Sequence, residues 1–297
     1  MKTLNDQSKN QVTIVGKLLD SAFRSGKTKT GAPYESATVT VRVTQTFGGK
    51  EETSEIQSHL FATQFKNNGE TNPAFTSIQT LRNMKTAQEY GIDGADTIRL
   101  TGGGLRENNY PSKTTGQIVY TWQADSSFVS EGRTGEIASF IVDIFIMKIT
   151  DEVDREGELT GRLNIKGAVV QYGGKLNVLN FIVENPETVE YIRNNWNEGD
   201  TNTVKGRIRI TSVEEKNSGK NSSWGEDIPE VNTRPVRELI ITKGDDEGKE
   251  EELAYDPVEI KKGYNARLAE LEQMQMDAKK KATPTTSAPS TNKYDWE

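Results

Sequence analysis

The stretch Asn10-Gln-Val-Thr-Ile-Val-Gly-Lys-Leu18 limits the folds open to this chain more than any other segment. It reads as one strand whose apolar residues are interrupted by a glycine where a strand bends. The neighbouring segments narrow the choice. Arg24-Ser-Gly-Lys-Thr-Lys-Thr-Gly31 is a hairpin loop rich in glycine and lysine. Residues 37–46 then alternate, with Val39, Val41 and Val43 on one side and Thr38, Thr40, Arg42 and Thr44 on the other. Period two means a half-buried strand with a polar outer face. Ile56 to Phe65 continues the sheet, with Ile56, Ser58, Leu60 and Ala62 on one face and His59, Phe61, Thr63 and Phe65 on the other. Asn72-Pro73 opens a helix carrying Phe75, Ile78, Leu81 and Met84, and Gly91 closes it. Strands at 96–106 and 117–124 complete five, with a helix between the third and fourth.

That helix position is the topological mark of an oligonucleotide-binding (OB) barrel. The rhythm recurs from Gly135, with strands expected at 137–149, 159–171, 175–184, 203–210 and 236–243. Asn185-Pro186 starts a helix running to Trp196, as Asn72-Pro73 does earlier. The expected fold is mainly β: two OB-like β-barrels, each with one helix, plus a disordered C-terminal tail. Residues 1–131 form the first domain and 132–243 the second, leaving 244–297 as an appendage. The appendage holds an acidic stretch to Asp256 and a short helix with Tyr264, Leu268 and Leu271 on one stripe. Thr283-Pro-Thr-Thr-Ser-Ala-Pro-Ser290 buries no core and reads as a tether.

A hydrophobic fraction of 33% in 297 residues fits small cores diluted by loops. Without cysteine there is no disulfide, thiol nucleophile or cysteine-bound zinc. The first residues lack the apolar core of a signal peptide, and no run reaches membrane-spanning length, so no membrane association is expected. A cytoplasmic location follows as an expectation, the host cytoplasm if the chain is phage-encoded. The net charge of −7 is unevenly placed: +1 over residues 1–131, −2 over 132–212 and −6 over 213–297.

The first domain resembles the barrel of bacterial single-stranded DNA-binding proteins over roughly 110 residues. Asn10 to Leu18 is similar to that family's opening strand, Glu55 to Phe65 to its central strand, and Ile98 to Tyr110, with Gly103-Gly104-Leu105-Arg106, to its fourth. The resemblance implies that Phe61 and Tyr110 stack on bases. Two tryptophans that often read bases in that family have no counterpart, and the chain ends in Tyr294-Asp-Trp-Glu297 rather than an acidic run closing on Pro-Phe. Two barrels in one chain look more like the tandem-barrel binders of large tailed phages.

A single-strand binder needs aromatic platforms among cations that follow phosphates. The aromatic candidates are Tyr34, Phe61, Tyr110 and Trp122, beside Phe47, Phe65 and Tyr120. The cations are Arg24, Lys27, Lys29, Arg42, Arg99, Arg106 and Lys113, with Lys50 nearby. Tyr172, Lys175, Arg207 and Arg209 form a weaker version in the second domain. Phe61 and Phe65 equally suit a core, and of Tyr120 and Trp122 at least one packs. The terminal Tyr294, Asp295, Trp296 and Glu297 read as a recruitment peptide for replication or recombination partners, against the plainer reading of a frayed end.

Catalytic patterns fail. Ser25-Gly-Lys-Thr28 lacks the earlier glycine of a phosphate loop, because Ser21 stands there. Gly102-Gly-Gly104 lacks the third glycine of a dinucleotide fingerprint, and His59 is the one histidine. No catalytic residue, metal or cofactor is called for. The sequence reads as a non-enzymatic coat for single-stranded DNA. A scaffold built from OB-like barrels and a single-stranded RNA regulator are its rivals.

Overall fold

The structure is a computed structural model that describes residues 1–112, 114–133, 135–154, 156–216 and 231–282. It is mostly β, and its strands close into two circuits. In the first, β1 (Asn10–Lys27), β2 (Pro33–Phe47) and β3 (Lys50–Thr63) form an antiparallel meander. Helix α1 (Pro73–Leu81) and helix α2 (Ala87–Gly94) come after it. Next come β4 (Thr97–Gly103), β5 (Leu105–Glu107), a small hairpin of β6 (Tyr110–Pro111) and β7 (Ile118–Val119), then β8 (Trp122–Ser126) and β9 (Phe128–Glu131). β3 pairs parallel with β8, β8 with β5, and β4 returns to β1, which closes the barrel. The parallel third-to-fifth closure and the helix before the fourth strand are those of an OB barrel.

The second circuit repeats this order. β10 (Ile137–Val153), β11 (Leu159–Val170) and β12 (Leu176–Val183) form the meander, followed by α3 (Pro186–Asn195). β13 (Thr201–Lys216) pairs β10, and β14 (Val231–Gly244) pairs β13 and lies parallel to β12. Both principal helices start alike. Asn72 Oδ1 accepts from the Ala74 amide and Asn185 Oδ1 from the Thr188 amide, each at 3.1 Å, with proline next in sequence. Asparagine satisfies an orphan amide there, and proline has none to lose. The first helix differs from the single run to Gly91 expected from sequence. It stops at Leu81, because Asp96 captures the Lys85 amide with its carboxylate at 2.8 Å and donates its own amide to the Lys85 carbonyl.

The barrels are joined edge to edge. β1 pairs antiparallel with β10 from Asn10↔Val142 to Val15↔Ile137, making one continuous sheet and one shared core. The join is pseudo-twofold. β1 shifts register on β2 between Leu18 and Asp20, and β10 shifts on β11 between Ile146 and Lys148. Superposing the two shifts carries Val12 onto Phe140, and these residues are partners across the join. Val12 lies opposite Gly103, and Phe140 opposite Gly206. A Cβ on Gly103 would stand 2.0 Å from the Asp125 carbonyl oxygen, and one on Gly206 2.1 Å from that of Ile240. The fourth strand of each barrel needs a glycine where the fifth crosses it.

The first residues and the segment leading into the last helix pack on the second barrel. Lys2 donates its backbone amide to the Ala254 carbonyl at 2.7 Å, and Asp256 donates back to Lys2. Helix α4 (Pro257–Ala282) is longer than the short segment expected. Its Ile260 joins Tyr255, Phe145, Val170 and Leu176 in a satellite core. The tether and the terminal Tyr294–Glu297 lie outside the described residues.

Candidate nucleic-acid interface

The outer face of the first barrel is set by strand alternation. Along β3, Ser54, Ile56, Ser58, Leu60 and Ala62 point inward, leaving Glu55, Gln57, His59 and Phe61 outside. Their β2 partners on that face are Arg42, Thr40, Thr38 and Ser36. Tyr34, one step along from Ser36, reaches diagonally to Phe61, with ring centroids 5.3 Å apart and an interplanar angle of 33°. Its ring lies over Gly26 of β1, where a Cβ would stand 3.1 Å from it. Phe61 stays 50% exposed, so the pair is an open aromatic platform rather than core. Arg24 lies opposite Ser36 on the β1 side, in the row that ends at Phe61.

Past β3 the same face continues onto β8 and β5. His59 lies beside Asp125, and Arg106 makes an ion pair with Asp125. Burial lowers the His59 pKa below its ordinary value. Asp125 pulls it up, while Arg106 and Arg24 push it further down. His59 is therefore neutral at pH 7, in a row of arginines. Arg42 pairs with Glu55 at 2.8 Å, both half-exposed. Such surface pairs are worth about 0–1 kcal/mol, little enough for a phosphate to replace the carboxylate.

Of the residues named from sequence, the fold brings Arg24, Tyr34, Phe61 and Arg106 together, with Arg42 further along β2. Lys27 and Lys29 are exposed at the end of the β1–β2 hairpin. Tyr110 and Tyr120 are exposed on the arm beyond β5. Arg99 falls elsewhere, in a hollow with Ser130, Glu131 and Arg133. Lys113 lies outside the described residues. Trp122 does not belong to the interface: it is 9% exposed, and the Arg237 guanidinium covers its ring at 4.8 Å. Alternation in β8 turns Trp122, Ala124 and Ser126 inward and leaves Gln123 and Asp125 outside. Asp125 was the member sequence reasoning did not place, whereas His59 was read there as a packed or groove-facing residue. The signal for Asp125 was the period-two pattern of β8.

The corresponding face of the second barrel is built differently. The registers carry Arg42 onto Ala168, His59 onto Ile182 and Phe61 onto Glu184. Ala168 lies in the satellite core with Ile260 of α4, and Val178 and Tyr264 pack against that core. Glu184 binds Arg207 and Arg209, which also bind Glu52 from the β2–β3 hairpin. Arg209 Nε donates to Glu238 at 2.7 Å, and Arg162 joins Glu238 as well. Burial raises the Glu238 pKa, but the two arginines outweigh it and hold the carboxyl below its usual range. Arg207 and Arg209, read from sequence as phosphate contacts, are thus engaged in a largely buried cluster between the barrels. Among the described residues no group of three His, Asp or Glu side chains is placed to hold a metal. No helix among them is long and apolar enough to cross a membrane.

A family model described as YorF matches residues 9–277. No curated protein matches the chain. Among solved structures, the wild-type single-stranded DNA binding protein from Thermus aquaticus aligns with a TM-score of 0.53 at 13% identity, over 82% of this chain and 96% of that one. A deletion mutant of the same protein aligns with a TM-score of 0.47 at 13% identity, over 82% and 97% of the two chains. At such identity the likeness concerns the fold alone.

Proposed function

The chain belongs to the YorF family, and we propose that it binds single-stranded DNA along the outer face of its first barrel, largely without sequence preference. The observation that carries this reading is the exposed Tyr34–Phe61 platform in a row with Arg24, His59 and Arg106 on the β2–β3 face of an OB barrel. Bases stack on such rings and phosphates follow the cations. The fold shared with the Thermus aquaticus protein supports it. In this reading the chain protects single strands during replication or recombination in the cytoplasm, without catalysing a reaction, and Tyr294–Glu297 recruits partner proteins. The second barrel is the scaffold: its corresponding face is occupied by α4 and the ion cluster.

The test is a fluorescence-anisotropy titration of labelled oligo-dT at two salt concentrations, competed with duplex DNA and with RNA of matched sequence. Affinity is expected to fall with salt, with a log–log slope of about −0.7 per phosphate contact, and duplex should not displace the strand. Equal competition by RNA would widen the ligand to any single strand. No binding, even after residues 283–297 are deleted to remove the terminal carboxylates, would overturn the reading.

A further inference from the structure

The two halves of the seam between the barrels are built alike and finished differently. Each barrel reaches across it with an aromatic-Gly-Gly-Lys turn at the end of a hairpin of different length, Phe47-Gly-Gly-Lys50 in one and Tyr172-Gly-Gly-Lys175 in the other. Both glycines of each turn have positive φ, between +56° and +79°. Each turn meets the fourth strand of the other barrel, Gly206-Arg-Ile-Arg209 for the first and Gly103-Gly-Leu-Arg106 for the second. The registers carry Gly104 onto Arg207, Arg106 onto Arg209 and Lys175 onto Glu52.

One half is sealed. The Arg207 guanidinium lies 3.9 Å from the Phe47 ring centroid, and Glu52 and Glu184 each pair with both arginines. The other half is open. Gly104 stands in place of the covering arginine, because any Cβ there would strike the Asn10 side chain at 2.5 Å, and Tyr172 is left 87% exposed. By register Lys175 stands where the sealed half has Glu52, so this turn brings a cation rather than a carboxylate to the groove that Arg106 lines. The turn is held there by Gln171, whose Nε2 donates to the Leu105 carbonyl at 3.3 Å. Tyr172, Lys175 and Arg106 line one groove, and Arg106 is also the last cation of the first barrel's face. The groove's carboxylates are engaged, Glu107 by Arg267 and Glu270 by Lys175 at 3.9 Å.

We propose that this open half-seam is the exit of the binding track: a single strand leaving the first barrel crosses from Arg106 to Lys175 and stacks a base on Tyr172. The proposal rests on the single-strand reading above and extends it onto a residue of the second barrel. The wild-type chain and the variants Tyr172→Ala, Lys175→Glu and Phe61→Ala are titrated with labelled oligo-dT of about 8 nucleotides, within the reach of one barrel, and of about 30. Tyr172→Ala is expected to weaken the long strand about 5- to 100-fold and to leave the short one within twofold. Lys175→Glu should do the same and reduce the salt slope for the long strand by about 0.7 or more. Phe61→Ala should weaken both lengths. Wild-type binding of both lengths by Tyr172→Ala and Lys175→Glu, with Phe61→Ala impaired, would overturn the exit track alone. Wild-type binding of both by Phe61→Ala would instead remove the first barrel's face.

Discussion

At the level of single residues, period-two alternation decides which side chains can face a ligand, and in β3 it is legible in the amino-acid order alone. It puts Phe61 and His59 on one face, and that face is the outer one. Alternation does not say which face is the core, so stacking and packing are equal readings of Phe61 at the level of sequence. The open Tyr34–Phe61 pair separates them: Phe61→Ala should leave thermal unfolding nearly unchanged and weaken oligo-dT binding by about 1–3 kcal/mol, read by anisotropy beside a melting curve. His59 adds a pH dependence with a definite sign. Its folded pKa lies below the ordinary 6.5, chiefly through burial, so the unfolded chain takes up the proton more readily. The resulting stability is complete above about pH 6.5 and is lost as pH falls through the folded pKa. A bound phosphate raises the same pKa, so affinity for oligo-dT should rise over the window in which stability falls. His59→Gln should flatten both trends, and an unchanged affinity profile in that variant would remove His59 from the interface. Residues misread from sequence share one cause. Arg207 is paired with Glu52 and Trp122 is covered by Arg237, and each partner lies more than a hundred residues away. No local pattern tells such an arginine from one that waits for phosphate.

Among elements, the strand order and both asparagine–proline helix starts were legible because they depend on local chemistry: alternation, a capping side chain and a missing amide. The length of α4 was not. Its apolar residues are sparse, and it is secured by contacts with distant strands, such as Arg267 Nε with Glu107 at 2.9 Å. The repeat itself was visible as rhythm, and the crossing glycines give it a physical test. A methyl group at Gly206 would meet the Ile240 carbonyl oxygen at 2.1 Å and the Phe140 ring at 2.3 Å. Neither is a flexible side-chain end. Gly206→Ala is expected to cost about 3 kcal/mol or more, and Gly103→Ala a comparable amount, measured by denaturant unfolding. Gly135→Ala is the control, since a Cβ there meets nothing within 4 Å. If the two barrels are the repeats described, both crossing glycines respond and the control does not. Tolerance of alanine at Gly206 would refute the close crossing of β13 and β14.

For the whole molecule, two barrels of the same strand order are finished asymmetrically. A pseudo-twofold pair of barrels would offer two equivalent faces, whereas here α4 packs over the corresponding face of the second. Three features close the second: Glu184 stands where the first barrel has Phe61, Ala168 and Val178 accept the flank of α4, and the arginines of β13 are paired with Glu52, Glu184 and Glu238. Carboxylates there would repel the phosphates of a strand. The number of strands bound therefore distinguishes this arrangement from a duplicated binder. Isothermal titration of the full chain with oligo-dT of about 8 nucleotides, short enough for a single barrel, should saturate at one oligonucleotide per chain. Phe61→Ala should reduce the affinity of that one site without uncovering another. Two equivalents bound, or a residual site untouched by Phe61→Ala, would mean that α4 leaves the second face in solution, and the closed arrangement would fail. One equivalent makes the second barrel what its contacts describe: a body that anchors the first residues and α4 and presents the seam, while the first barrel holds the strand.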